Sequence, residues 1–357
     1  MKKKASFFKS EKDFQKFSDE EFQRKFLHII TQSDKDTTYK YAFARFLLEY
    51  AEFETNTRVS FDNIAKYFLK YYWPQICTSK LFQSVNHRIS TSGDRIPKIV
   101  KIIRTQLPEP YYPHTFEQIS KKYPEKITQV IQDIKKEALK IVTYAFQRIS
   151  LEENMTPMFF NYKIFGYKPN NPSQEYVDLK SDIEINPHAM DFLKRYGALL
   201  KKVTIFEWAK FLEPLNYGYP QIIRSIESEF EPRNLTKERK LLEKIQNTCF
   251  YCEKSLLGNS DTEKINVEHV IPYSYLKHNK LWNLTLACNK CNCKKLGRLP
   301  NPKEKWIKKI HDRNMKYRNQ IKDLDTHLIE LGDQFKEKID ITYELAKNQG
   351  FVEIQMP

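Results

Sequence analysis

Five of the six cysteines in this 357-residue chain fall between positions 249 and 293. Four of them form two Cys-x-x-Cys pairs, Cys249-Phe250-Tyr251-Cys252 and Cys288-Asn289-Lys290-Cys291, separated by 35 residues. Two thiolates on one tight turn can present both sulfurs to a single metal, and a second turn closes a tetrahedral shell, the arrangement of structural Zn²⁺. A lone Cys-x-x-Cys can instead be a redox pair, but that reading needs a thioredoxin-like βαβ setting, which the surrounding pattern does not offer. With four sulfurs bound no position remains for water, so this Zn²⁺ is expected to hold the fold and do no chemistry. Cys293 lies beside the second pair, where the two-residue gap favours Cys291, and Cys77 is left over.

A simple zinc ribbon has about 15–20 residues between its pairs, so the longer insert here must carry something else. It contains Val267-Glu268-His269-Val270-Ile271-Pro272 and then Leu281-Trp282-Asn283-Leu284-Thr285-Leu286, and Asn292, Lys294 and Lys295 follow the second pair. An apolar strand with a carboxylate and an imidazole, a turn, a second strand and an Asn-bearing helix suggest a hairpin folded onto a helix. That arrangement would converge Glu268, His269 and Asn292 on one divalent metal and one phosphate. A lone histidine is more often structural, but next to Glu268 and between two cysteine pairs it points to catalysis.

The pattern resembles the zinc-knuckle branch of the HNH endonucleases, the ββα-metal nucleases, over about residues 245–300. The resemblance implies that His269 is the general base on the attacking water, a role that suits an imidazole at neutral pH. It implies that Glu268, where the family more often has Asp, and Asn292 bind a catalytic Mg²⁺ or Mn²⁺. It also implies that Asn283 braces the loop and orients the base, and that Lys295 contacts the scissile phosphate. Hard cations bound to few protein oxygens fit phosphodiester hydrolysis, in which charge develops on phosphoryl and leaving oxygens. The extra methylene of Glu268 is expected to shift metal distance or preference towards Mn²⁺.

The charge balance points the same way. Sixty basic residues oppose forty-five acidic ones, a net +15, the electrostatic footprint of a polyanion binder. Between Thr236 and Pro300 there are twelve basic and six acidic residues, so most of the excess lies elsewhere and the helical regions should share in the grip on nucleic acid. The eight glycines never reach the spacing of a phosphate-cradling loop, which excludes dinucleotide-binding and P-loop classes. No run approaches the roughly 18 apolar residues of a membrane span, and the lysines at positions 2–4 lack an apolar segment behind them. A soluble, cytoplasmic, bacterial protein without a membrane partner is expected.

The elements that must position this chemistry are mostly helical. Residues 1 to about 16 read as a mobile arm. Ser18-Asp19-Glu20-Glu21 reads as a capping box, Thr38–Phe53 repeats its apolar residues at helical spacing, and Ser60 opens a helix that Pro74 stops. One long helix is expected from Pro124 to about Ile149, short strands around 159–165, and helices at 189–212, 221–229 and 237–245. A charged pattern from Lys303 to about Lys347 reads as two helices. The aromatic residues between 39 and 73 follow helical spacing, which assigns them to a core and not to base stacking.

The expected architecture is mainly α: a helical N-terminal region at 1–235 for DNA or partner recognition, a zinc-stapled ββα-metal nuclease domain at 236–300, and a C-terminal helical extension at 301–357. The expected activity is metal-dependent hydrolysis of nucleic acid, double-stranded DNA first, in restriction or anti-phage defence. Cutting both strands with one site per chain would suit a homodimer or a partner protein. The alternative is a non-catalytic zinc-ribbon DNA-binding or scaffold protein, which needs none of Glu268, His269 and Asn292.

Overall fold

A computed structural model of the chain describes residues 14–33, 35–84, 97–107, 115–148, 157–168, 171–227, 234–256 and 265–357. The arm expected at the N-terminus lies largely outside them. The chain forms two compact units, one of Met1–Leu215 with Ser225–Ser228 and one of Asn216–Arg224 with Glu229–Pro357.

The first unit is built around α2 (Tyr39–Phe53), preceded by α1 (Asp19–Thr31) and followed by β1 (Arg58–Val59) and α3 (Phe61–Trp73). The capping box at Ser18 and Glu21 forms, and Ser60 Oγ accepts from Asn63 N at 3.2 Å. Every residue from Lys40 to Ala51 is buried. A helix buried all round must pair its charges, and Arg45 Nε donates to Glu49 Oε1 at 2.8 Å while Tyr71 OH donates to Glu49 Oε2 at 2.8 Å. Phe43, Phe46, Tyr50, Phe68, Tyr71, Tyr72 and Trp73 are all buried, so the aromatic run is core, as its spacing requires.

Helices α4 (Lys98–Gln106), α5 (Phe116–Lys122), α6 (Pro124–Ile134) and α7 (Lys140–Ala145) follow. The single helix expected from Pro124 is interrupted by a π turn at Lys135–Leu139. Its buried positions Val130, Ile134, Ala138 and Val142 recur every fourth residue, and each such step overshoots a 3.6-residue turn by about 40°. One wider turn returns them to the buried side. Short strands β2 (Phe160–Asn161) and β5 (Ile183–Ile185) pair with β1 in the order β1-β5-β2, and β3 (Ile164–Lys168) pairs with β4 (Asn171–Val177). Asn186 then caps the 26-residue α8 (Pro187–Leu212), which packs against α2.

The second unit begins with a short tie. Tyr219 OH donates to Ser274 O at 2.7 Å, Tyr275 OH to Gly218 O at 2.8 Å, and Gln349 Nε2 to Asn216 Oδ1 at 2.9 Å. Its elements are α9 (Thr236–Glu243), β6 (Ile265–His269), α10 (Tyr273–Leu276), β7 (Leu284–Cys288), α11 (Asn289–Lys295), β8 (Leu299–Asn301), α12 (Lys303–Tyr317), α13 (Lys322–Leu331), α14 (Phe335–Asn348) and β9 (Glu353–Gln355). Strands β6 and β7 are antiparallel and lead into α11, and β8 pairs in parallel with β9. The two C-terminal helices expected from the charge pattern are three. Gly332, at φ +83°, ends α13 in a conformation glycine adopts readily, and the earlier break is bridged by Arg318 Nη2 to Asp325 Oδ1 at 2.9 Å.

Helix α12 grips the turn before β7. Arg313 donates to the carbonyl of Leu284, to Leu281 O at 2.8 Å and to Trp282 O at 3.1 Å, and Asn314 Nδ2 reaches Trp282 O at 3.0 Å. A planar guanidinium fork spans several carbonyls as an ammonium cannot. Arg313→Met should therefore destabilise the second unit by about 3 kcal/mol, since buried carbonyls left unpaired cost about 1–3 kcal/mol each. Arg313→Lys should recover less than half, and denaturant unfolding of the full chain reads both.

Candidate functional site

The four cysteine sulfurs of 249, 252, 288 and 291 all lie within 4.8 Å of one another, and Cys252 Sγ is 3.7 Å from Cys288 Sγ. Tetrahedral Zn–S bonds of about 2.3 Å put neighbouring sulfurs about 3.8 Å apart, so the spacing and the donor set fit Zn²⁺. Among the described residues this is the one such His, Cys, Asp or Glu group. Cys293 is exposed and outside it.

Local backbone builds each half. In the first turn, Glu253 adopts φ +59°, its N–H donates to Cys249 O at 2.9 Å, and Cys249 N donates to Lys254 O at 2.8 Å. Gln246 fastens this turn to β7: its Nε2 donates to Leu286 O at 2.7 Å and its Oε1 accepts from Leu286 N at 3.0 Å. In the second half, Cys288 ends β7 at the position just before α11, and Cys291 sits in the first turn of that helix. Burial raises the Cys288 and Cys291 thiols, whereas Cys249, despite its burial, is drawn down by the backbone amides of Cys252, Cys288 and Tyr251. A divalent cation would supply the positive charge that lets all four ionise together.

The strand pairing places the remaining residues. Ile265 faces Cys288, Glu268 faces Thr285 and His269 faces Leu284 across the β6–β7 ladder. Lys295, on the last turn of α11, has no exposed side-chain surface: its ammonium meets Glu268 Oε1 and the His269 carbonyl, each at 2.7 Å. Its ammonium is thus engaged inside the unit, on the carboxylate and main chain of β6. Asn292 lies three residues before Lys295 on α11, half-buried and on the same helix face. Asn283 is 1% exposed and spends its amide on Ile271, accepting from its N–H at 2.8 Å and donating to its carbonyl at 2.7 Å. That brace holds the chain just beyond His269.

The His269 imidazole, 4% exposed, has Nε2 3.1 Å from Asn279 Oδ1 and an edge contact to the Tyr273 ring at 5.3 Å. The structure therefore joins Glu268, Lys295 and the main chain of His269 in one group, and gives the imidazole a partner that sequence reasoning missed. Nothing in the residue spacing marks Asn279, because the contact depends on the path of a loop. Two further histidines shape that loop. His278 Nδ1 accepts from Lys280 N at 3.4 Å, and His327 Nδ1, on α13, accepts from Leu281 N at 3.1 Å. Burial, then the charge of Lys280, pushes His278 down to about 4, and burial also lowers His327.

Residues 19–224 match the family model of a domain of unknown function (DUF8808), and residues 249–301 match the HNH endonuclease model. No curated protein and no solved structure matches the chain. The second match starts at the first cysteine of the sulfur cluster and takes in Glu268, His269, Asn283, Asn292 and Lys295. Among the described residues no helix is long and apolar enough to cross a membrane.

Two outcomes follow from this geometry. Protein purified without chelators should contain one Zn²⁺ per chain by elemental analysis, and Cys249→Ser should lose it together with folded, soluble protein. In the second, the unfolded chain takes up protons at His278 near its usual value of about 6.5 while the folded chain resists until about 4. Stability contributed by the neutral ring is thus full above pH 6.5 and is lost as pH falls towards 4. In His278→Gln the slope of stability against pH across that window should shrink, by at most about 1.4 kcal/mol per pH unit.

Proposed function

Starting from a chain that belongs to the DUF8808 family over residues 19–224 and carries an HNH endonuclease segment at 249–301, we propose that it is a metal-dependent endonuclease hydrolysing phosphodiester bonds of double-stranded DNA. The observation that carries this reading is the sulfur-stapled ββα unit, with Glu268 and His269 ending one strand and Asn292 on the helix. His269 is the general base: its imidazole takes the proton of the attacking water. Asn283 keeps the backbone after His269 in place.

Glu268 and Asn292 supply oxygen donors of the hard type that Mg²⁺ and Mn²⁺ accept. Such a cation, when bound, stabilises charge on the phosphoryl and leaving oxygens. Lys295 already neutralises Glu268, so the protein alone offers a cation little net charge, and substrate phosphate is needed to complete the site, as is common for Mg²⁺. Lys295 acts here by holding the Glu268 carboxylate and the His269 carbonyl, with no contact to the phosphate.

The net charge of +15 supports a nucleic-acid partner, with affinity falling steeply as salt rises. The helical family region contributes grip or recognition, cleavage of both strands engages a second copy or a partner protein, and the setting is cytoplasmic defence or restriction in a bacterium. The Lys295–Glu268 pair also suits a second reading, a zinc-ribbon binding protein that uses this ion pair only for stability.

His269→Ala separates the two. It should lower single-turnover plasmid cleavage by about 10²–10⁴-fold while DNA binding and zinc content stay near wild type. Glu268→Ala and Asn292→Ala should be partly rescued by raising Mg²⁺ or Mn²⁺, and His269→Ala should not be. Wild-type cleavage rates in His269→Ala would remove the assigned base.

A further inference from the structure

The imidazole of His269 is held by a side chain outside the strands and helix that define the ββα unit. We propose that Asn279 is a positioning residue for His269. Its side-chain carbonyl accepts the Nε2–H, sets the plane of the ring and selects the tautomer whose lone pair is on Nδ1. This rests on the nuclease reading only in that His269 is the base.

The distance of 3.1 Å between Nε2 and Oδ1, joining a buried histidine to a half-buried asparagine, describes a hydrogen bond. A neutral imidazole carries one N–H and one lone pair, so an acceptor at Nε2 puts the hydrogen there and the basic lone pair on the other nitrogen. The Tyr273 ring, edge-on at 5.3 Å, limits rotation of the same imidazole. When Nδ1 takes a proton from water, the Nε2–H remains bonded to a neutral amide oxygen, so the base gains an orienting partner without a second full charge.

A side-chain acceptor is useful in this role only if the backbone beneath it is fixed, and residues 277–281 are held at nearly every position. Lys277 ends α10 at φ +53°, and its carbonyl accepts from Arg224 Nη1 at 2.7 Å. His278 packs edge-on against Trp282 at 5.7 Å. Lys280 pairs with Glu330 on α13, and Leu281 donates to His327 of the same helix at 3.1 Å and accepts from Arg313 of α12 at 2.8 Å. The helices that follow the ββα unit thereby set the orientation of its base.

The test uses the full-length zinc-loaded chain, with long-range ¹H–¹⁵N spectra of its histidines to report tautomers and single-turnover plasmid cleavage to report rate. Wild type should show His269 protonated at Nε2. Asn279→Ala should lose that preference and lower the single-turnover rate at saturating protein by about 10²-fold, the scale of a displaced catalytic group, with DNA affinity little changed. Asn279→Asp keeps an acceptor while adding a negative charge beside the ring, so it should restore the Nε2–H and recover the single-turnover rate in part. An Nδ1–H tautomer in wild type, an unchanged tautomer and rate in Asn279→Ala, or an Asn279→Asp variant as defective as Asn279→Ala in both readouts would overturn the assignment. Should Asn279→Ala fail to fold, the wild-type spectrum and Asn279→Asp still decide it. Should wild type cut no DNA, the nuclease reading fails while the spectra still judge the Asn279 contact.

Discussion

The geometry of the second unit hangs on the junction where β7 becomes α11. Cys288 is at once the last residue of the strand, the residue from which the helix starts and one corner of the sulfur cluster. A tetrahedral metal bound there would fix the angle between strand and helix, and so the path of Asn292 and Lys295. The ladder that begins with Ile265 opposite Cys288 carries that reference three and four residues along β6 to Glu268 and His269. A register slip of one residue would turn both side chains to the other face. The sulfur cluster is thus the datum from which the candidate chemical groups are placed.

The second constraint is the Lys295 ammonium, with no exposed surface and two oxygen partners. Burying such a charge without partners is prohibitive, and removing one partner of a buried pair costs more than the pair contributes. Glu268 therefore cannot be read as a carboxylate waiting only for a metal. One of its oxygens is committed to the helix, which stiffens the strand end and limits how it can meet a cation. The main-chain carbonyl of His269 shares the same ammonium, so the helix is tied to the carboxylate and to the strand end that carries the base.

Much of this was legible from residue order. The two Cys-x-x-Cys pairs, the capping box at Ser18, the cap at Ser60, the aromatic core and the strand–turn–strand–helix order all follow from local spacing, because each depends on residues close in the chain. What escaped depends on separation. Asn279 reaches His269 because an αL residue at Lys277 and contacts from α12 and α13 bend the loop, and no pattern within ten residues encodes that path. The resemblance assigns Lys295 to the scissile phosphate, whereas its pairing with Glu268 and the His269 carbonyl depends on tertiary packing across 26 and 27 residues. The π turn at Lys135–Leu139 and the three-way split of residues 303–348 reflect packing phase and a single glycine, which override a continuous helical pattern.

Incubation of supercoiled plasmid with the full-length zinc-loaded chain and Mg²⁺ or Mn²⁺, against a chelated control, tests the central claim most directly. The account predicts nicked or linear DNA that appears only when the divalent cation is present. Plasmid that stays supercoiled with either cation, while the same protein retains its zinc and binds the DNA, would contradict it.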